Sequence, residues 1–262
     1  MKNIQYPAVA GLFYPADPME LRKQVQTFLT EGHGGRVKAP KALIAPHAGY
    51  IYSGPVAGHA YAQLESAANR IRRVVILAPS HRMAFSGLCY SSAEVFRTPL
   101  GDLEVDQAAL AQITSLPQVR LSNEAFEGEH SLEVHLPFLQ MTLEQFRIVP
   151  LLVGDASAEE VAEVLERLWD GDETLIVISS DLSHYLEYEK ARRMDAETTR
   201  AIESLEPEAI SYHHACGRTP VSGLLVAARR HHLSATTLDL RNSGDTAGPR
   251  DQVVGYGAYA FA

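Results

Sequence analysis

An apolar run that ends in proline and histidine occurs twice in the chain, as ALIAPH at residues 42–47 and as VVILAPSH at residues 74–81. A third run, TLIVISSDLSH at residues 174–184, ends with Asp181 and His184 instead. Short apolar runs bounded by proline are typical of buried strands. In α/β proteins, ligands bind beyond the carboxyl ends of such strands. The three runs therefore predict one polar site, which we interpret as a metal site.

Length and composition indicate a globular protein with an acidic surface. The chain has 262 residues, 46% of them hydrophobic, which is enough for one large core. Its formal charge of −9 argues against a nucleic-acid partner and against docking on anionic membranes, because both need a basic face. Cys89 and Cys216 stand in no zinc or disulfide spacing, which predicts two free thiols. With neither an apolar leader nor a membrane-spanning run, the sequence predicts a cytoplasmic protein.

Strand and helix signals alternate, which predicts an α/β fold: a three-layer α/β/α sandwich around a mixed, mostly parallel sheet. The predicted strands are residues 41–46, 73–79, 87–92, 146–154, 174–180, 234–241 and 252–262. The predicted helices begin at Asp17 and Ser157 and otherwise cover 55–64, opened by Pro55, 104–114, 129–146 with a break or kink at Pro137, 188–204 and 219–232. Because no helix is predicted between the last two strands, we expect an antiparallel portion in the sheet.

Histidines just past strand ends are the candidate metal ligands. One such histidine is more often a hydrogen-bonded loop residue, but His47, His81 and His184 recur at neighbouring strand ends and favour a site. Two histidines and one carboxylate form the set that holds non-haem iron with open positions for O₂ and substrate. The candidate carboxylates are Asp181 and Asp245, the latter in the turn NSGDTAG.

Other polar motifs are weaker. EHSLEVH is not the HExxH zinc motif, and its Glu129 and His130 either support the site from behind or simply charge a helix start. A serine hydrolase is disfavoured because GxSxG is absent. Cys216 beside two histidines has the atoms of a nucleophile, but its helical setting favours a structural cysteine.

Six motifs occur along the chain in the order in which the MEMO family carries them. They run from Pro7 to Phe261 and are PAVAGLFYPADP, APHAGYIYSG, LAPSH, EHSLEVHLPFL, SSDLSHY and NSGD…VVGYGAYAF. The chain therefore resembles the MEMO family, also called AmmeMemoRadiSam system protein B, over nearly its whole length. That family is similar in fold to the class III extradiol dioxygenases, which cleave catechol rings with a non-haem Fe(II). The resemblance implies a single MEMO-like domain over residues 1–262.

The resemblance also implies roles for individual residues. His47 and His81 match the two histidine ligands, His184 matches the acid/base of the dioxygenases, and Asp181 matches a family pocket residue. The third ligand of the family falls in NSGDTAG, where relatives carry a cysteine that this chain lacks, and an ungapped match places it at Asp245 or Thr246. The Asp245 carboxylate would complete a set suited to Fe(II), with Cu or Zn also compatible, whereas Thr246 would not bind a soft metal well.

The function favoured on this basis is an oxidoreductase that acts with O₂ on a small chelating, catechol-like substrate. Tyr50 or Tyr52 is expected to line the pocket and donate a hydrogen bond, with Glu129 and His130 behind the ligands. One alternative is a non-enzymatic metal- or peptide-binding, signalling module that uses the same pocket, and another is a zinc-dependent hydrolase. The sequence leaves the substrate, the metal and the oligomeric state open.

Overall fold

Strands and helices alternate along the chain in the computed structural model, which describes residues 2–32 and 35–262. The strands are β1 (Ile4–Gln5), β2 (Ala42–Ala45), β3 (Arg73–Pro79), β4 (Leu88–Tyr90), β5 (Val95–Thr98), β6 (Gly101–Glu104), β7 (Val119–Leu121), β8 (Arg147–Val153), β9 (Thr174–Ser179), β10 (His184–Leu186), β11 (Ala235–Asn242) and β12 (Val253–Phe261). The helices are α1 (Pro18–Glu31), α2 (Tyr50–Tyr61), α3 (Gln107–Ala111), α4 (Leu136–Thr142), α5 (Ala158–Leu168), α6 (Tyr188–Glu203), α7 (Arg218–Arg230) and α8 (Ser243–Thr246).

The main sheet is mixed, as predicted. Its strands follow the order β10, β12, β2, β9, β3, β8, β4, β7, and β11 lies off this path and also pairs with β12. The central strands β2, β9, β3 and β8 are parallel, whereas β12 is antiparallel to β2, β10 and β11. A small separate sheet joins β1, β5 and β6.

Helices cover both sides of the main sheet, which confirms the three-layer α/β sandwich. α1, α2 and α4 pack against one another, and α5 packs on α7. The buried apolar side chains form one connected core, and β2 and β9 are buried along their whole length. In the part of the chain that the structure describes, no helix is both long and apolar enough to cross a membrane.

Two predictions about proline were wrong. The segment 129–146 is not one helix, because a 3₁₀ turn at Glu133–His135 leads into the short α4. Pro137 lies in the first turn of α4, where a backbone N–H would have no helical partner, so its absence costs nothing. Pro55 does not open α2 but lies inside it. α2 begins earlier because Tyr50 is buried in the core. Pro55 has no N–H to donate to the Ile51 carbonyl four residues before it, but Ile51 is exposed, so water can take that place.

Other boundaries also differ from the predicted ones. The helix predicted over 104–114 is only the short α3, because the chain first completes the β5–β6 hairpin at Glu104. The short strands β1, β5, β6, β7 and β10 and the short helix α8 were not predicted. The extent of these short strands is set by the strands beside them rather than by a long apolar run.

Candidate metal centre

Three predicted site residues lie at equivalent positions on adjacent strands. His47, His81 and Asp181 each stand two residues beyond the end of their strand, and these strands, β2, β3 and β9, are parallel neighbours. The rings of His47 and His81 are therefore 5.1 Å apart, centroid to centroid. Asp181 Oδ1 accepts the backbone N–H of His47 at 2.8 Å, and Asp181 Oδ2 lies 4.0 Å from His47 Nε2. The structure thus brings all three together at the carboxyl edge of the sheet.

The tautomer of His47 is fixed by a buried hydrogen-bond chain. Its Nδ1 lies 2.6 Å from the Ser179 hydroxyl, which donates its own hydrogen to the Ser131 carbonyl at 2.6 Å. Because a hydroxyl has a single hydrogen, Ser179 must accept from Nδ1–H of His47. Burial, and then the proximity of His81 and His130, holds the pKa of His47 well below its usual range. His47 is therefore neutral and presents the lone pair of Nε2.

Cys216 faces that lone pair. Its Sγ lies 3.5 Å from His47 Nε2. One ligand atom from each of His47, His81 and Cys216 lies within 4.8 Å of the other two, so these residues form a possible three-ligand set. Burial, and then the negative charge of Asp181, raises the pKa of the Cys216 thiol. The thiol therefore keeps its proton, which a metal ion would have to displace in order to bind there.

His81 is held from behind by a carboxylate. Its backbone N–H donates to Glu129 Oε2 at 2.5 Å, and its Nδ1 lies 3.2 Å from Glu129 Oε1. Although burial alone would raise the pKa of Glu129, hydrogen bonds from the His81 ring and from the Ser131 and His81 backbones lower it to about 2. An ionised Glu129 accepts Nδ1–H of His81, which leaves Nε2 as the ring nitrogen with a free lone pair. A histidine ligand oriented by a carboxylate is a common feature of metal sites.

His130 stacks on His81, with ring centroids 5.2 Å apart and ring planes 20° apart. His81, Glu129 and His130 also satisfy the spacing of a three-ligand set. The Glu129 carboxylate, however, already accepts the backbone N–H groups of His81, His130 and Ser131. Glu129 thus orients His81, and His130 packs against the same ring.

Asp245, the predicted third ligand, is engaged elsewhere. It belongs to the capping box of α8, where its Oδ2 accepts the backbone N–H of Asn242 at 3.1 Å. Its Oδ1 accepts the Tyr188 hydroxyl at 2.5 Å. Among the described residues, neither possible ligand set includes Asp245. The structure therefore does not group it with the two histidines, and the third donor beside them is Cys216.

A cavity of about 740 Å³ lies over this group, and His81, His184 and Cys216 are in its wall. His184 donates Nδ1–H to the Leu182 carbonyl at 2.8 Å, which leaves Nε2 free to accept a proton. Asp181 is buried beneath the site, and burial raises its pKa.

The two tyrosines expected in the pocket lie elsewhere. The Tyr50 hydroxyl donates to the Val134 carbonyl at 2.6 Å inside the core, because Tyr50 is the first residue of α2 and packs inward. Tyr52, two positions further along α2, is partly exposed. Neither is among the described residues that line the cavity.

Three residues that lie at the candidate site were not placed there from the sequence. Ser179 and Ser131 fix the His47 ring, and Cys216 was interpreted as structural. One signal was available for Cys216: it is followed directly by Gly217 just before the predicted helix start at residue 219. A side chain at position 217 would overlap the Ser179 carbonyl, so the glycine allows this segment to approach the end of β9.

Comparison with known proteins agrees with the family resemblance. The sequence model of the Memo-like protein family matches residues 5–260. A MEMO1 family protein of Aeropyrum pernix is 37% identical over 98% of this chain and 99% of its own length. Corresponding proteins of Aquifex aeolicus and Methanopyrus kandleri are 36% and 35% identical, each over 97% of this chain. The chain therefore belongs to the Memo-like family.

Proposed function

We propose that the protein binds one transition-metal ion between His47 Nε2, His81 Nε2 and Cys216 Sγ. The observation that carries this proposal is the fixed tautomer of His47, whose free lone pair points at a thiol 3.5 Å away. A thiol is a weak hydrogen-bond donor, so the lone pair of Nε2 remains available to a metal ion. Two neutral imidazoles and one thiolate are a donor set that first-row transition metals accept readily.

The donor set also bears on the choice of metal. Fe(II) was expected because a carboxylate at position 245 would have completed the set. A thiolate is a softer ligand than a carboxylate and moves the preference toward Cu(I) and Zn(II). We propose a redox-active ion, copper or iron, with zinc as the competitor to be measured against.

The proposed activity is that of an oxidoreductase acting on a small chelating substrate. When bound, the metal would supply a positive charge and open coordination positions for substrate oxygens and O₂. The protein supplies the rest: the cavity admits a small molecule, and His184 Nε2 is available to take a proton from a substrate hydroxyl. Asp181 holds the backbone of His47 in place through its N–H.

A second candidate function uses the same ligands without turnover. A protein that only holds or transfers a metal needs tight, soft ligands, and the thiol of Cys216 is one. Measured O₂ consumption separates the two functions.

The test of the metal site compares Cys216 with Asp245. Metal-free protein is titrated anaerobically with Cu(I), Fe(II) and Zn(II) against a chromophoric chelator. We expect one ion per chain, and Cys216→Ala and His47→Ala should each weaken binding at least tenfold because each removes a ligand. Asp245→Ala should leave the affinity unchanged. Cys89→Ala is the control for loss of a thiol, because Cys89 is buried in the core on β4.

The opposite pattern, with affinity lost in Asp245→Ala and kept in Cys216→Ala, would overturn this ligand set. The loaded protein is then supplied with a panel of catechols in an oxygen electrode. O₂ uptake above that of the Cys216→Ala variant supports the oxidoreductase. Stoichiometric metal without uptake supports the metal-holding function.

A further inference from the structure

The cavity above the metal ligands is lined by basic side chains, although the chain as a whole is acidic. Its formal net charge is −9. The bases in the cavity wall are His81, His184, Lys190 and His213, and no Asp or Glu is among the described residues that line it. A cavity wall with a lysine and no carboxylate, in an acidic protein, favours anions over cations.

Lys190 is the permanent charge in this wall, and it is exposed. The two acidic residues near it in sequence are already engaged. Glu187 caps α6 by accepting the backbone N–H groups of Glu189 and Lys190, and Glu189 pairs with Arg192 at 3.5 Å. Among the described residues, Lys190 makes no ion pair, so its ammonium is free to meet a ligand.

A strained tyrosine faces the same space. Tyr185 is the extra residue of a β-bulge, since His184 and Leu186 on β10 oppose consecutive residues of β12. Its φ is 57°, in the left-handed region that non-glycine residues avoid. The side chain is 69% exposed, so packing does not offset the strain. Bulges and strain of this kind re-aim side chains at functional sites.

Apolar and aromatic groups complete the wall. Leu186 and Met194 line the cavity together with Tyr185, and Tyr212 does so while remaining 77% exposed. Exposed aromatic side chains in a concave site provide flat surfaces for the body of a ligand. The cavity therefore offers a charged contact and an apolar contact to the same molecule.

We propose that this cavity binds an organic anion, a small molecule that carries a carboxylate on a flat, apolar body. The carboxylate is held by Lys190 with the hydrogen-bond donors of His213 and Tyr212, and the body packs on Tyr185, Leu186 and Met194. This inference deepens the proposed function and rests on it insofar as the anion is the substrate of the metal centre. Binding itself needs only the cavity and can be measured without metal.

The test uses benzoate and its neutral analogue benzamide, neither of which is a chelating catechol, on metal-free protein. Ligand-observed NMR titration gives both affinities. We expect benzoate to bind at least fivefold more tightly than benzamide, and Lys190→Glu to abolish that difference by reversing the charge. Lys23→Glu, at an exposed lysine of α1 outside the cavity wall, is the matched control and should retain it.

Equal affinity for the two probes, no saturable binding of benzoate, or an unchanged preference in Lys190→Glu would overturn the inference. The contribution of the carboxylate is then measured on metal-loaded protein by comparing the affinities of 3,4-dihydroxybenzoate and catechol. If metal binding fails while benzoate still binds through Lys190, the proposed function is wrong and the anion site stands. If metal binds but the charge preference is absent, only the anion site is wrong.

Discussion

Each of the three histidines at the centre has its Nδ1 already occupied. His47 donates it to a serine hydroxyl, His81 to a carboxylate and His184 to a backbone carbonyl. All three therefore present Nε2, although the three partners differ in chemistry. Fixing the tautomer removes the cost of reorienting each ring when a ligand or proton arrives.

Replacing Glu129 by Gln should weaken metal binding by about 10- to 100-fold while leaving one ion per chain. The amide can still accept one N–H, but it no longer offers a charged acceptor to Nδ1–H of His81. The His81 ring then loses its fixed orientation. Competition with a chromophoric chelator measures the change.

Glu133→Gln is the control for this variant. Glu133 is buried in the same motif, but it accepts N–H and O–H donors from Ala8, Val9 and Tyr14 instead of contacting a ligand. Its replacement should lower the free energy of unfolding and leave metal affinity within twofold of the parent. Equal metal loss in both variants would show that Glu129 acts only through stability.

The residues that sequence reasoning grouped correctly are those at strand ends. Parallel strands in register deliver equivalent positions to one edge, so His47, His81 and Asp181 could be placed together without coordinates. Cys216 and Asp245 lie at helix starts, and such positions depend on how a helix packs. Apart from Gly217 directly after Cys216, nothing in the local sequence indicates which of the two reaches the histidines.

At the scale of elements, α1 and α2 approach each other closely enough for their backbones to touch. A Cβ on Gly58 would overlap the Phe28 backbone carbonyl, and a Cβ on Gly32 would overlap the carbonyl of Gly58. Because the obstruction is backbone rather than a flexible side chain, neither helix can yield locally. This contact keeps α2, which begins three residues after His47, at a fixed height above the sheet.

Gly58→Ala should therefore lower the free energy of unfolding by about 1–3 kcal/mol, the usual cost of overpacking. In an unobstructed helix the same change would raise it, because alanine is the better helix former. Gly171→Ala is the control, since nothing lies within 4 Å of its added Cβ. Urea denaturation of the three proteins checks the result, and a stabilised Gly58→Ala would contradict this packing.

The long apolar strands β2, β3, β8 and β9 could be predicted because burial on both faces leaves an uninterrupted hydrophobic run. The short strands could not. β5 and β6 pair with each other across a two-residue turn, and β10 exists only because it meets β12. Their sequences lack a decisive period, and their conformation follows from the strand that each of them meets.

At the scale of the whole molecule, one buried acid couples folding to pH. Asp195 on α6 accepts the Ser183 backbone N–H at 3.0 Å, and it lies against Gly255, where a Cβ would overlap its carboxylate. Burial raises the pKa of Asp195 to about 6. The unfolded chain releases this proton near pH 4, so between pH 4 and 6 the folded state binds more protons.

The contribution of Asp195 to stability should therefore be greatest below pH 4 and should fall as the pH rises to about 6. The total change is about 3 kcal/mol, at about 1.4 kcal/mol for each pH unit. Asp195→Asn keeps an acceptor for Ser183 but cannot ionise. Urea unfolding of both proteins from pH 4 to pH 7 should show that the free energy of unfolding of the variant rises relative to that of the parent across this window. Parallel curves would contradict the raised pKa.

The position of β12 has a consequence for biosynthesis. Of all the strands described, it leaves the ribosome last, yet it lies inside the sheet and pairs with β2, β10 and β11. Until it emerges, β2 has one open edge, which is the kind of surface through which nascent chains aggregate. The strand that delivers His47 and the one that carries His184 receive their common neighbour only then. The segments that place His47 and His184 are therefore held in the sheet on this side only after β12 has been synthesised.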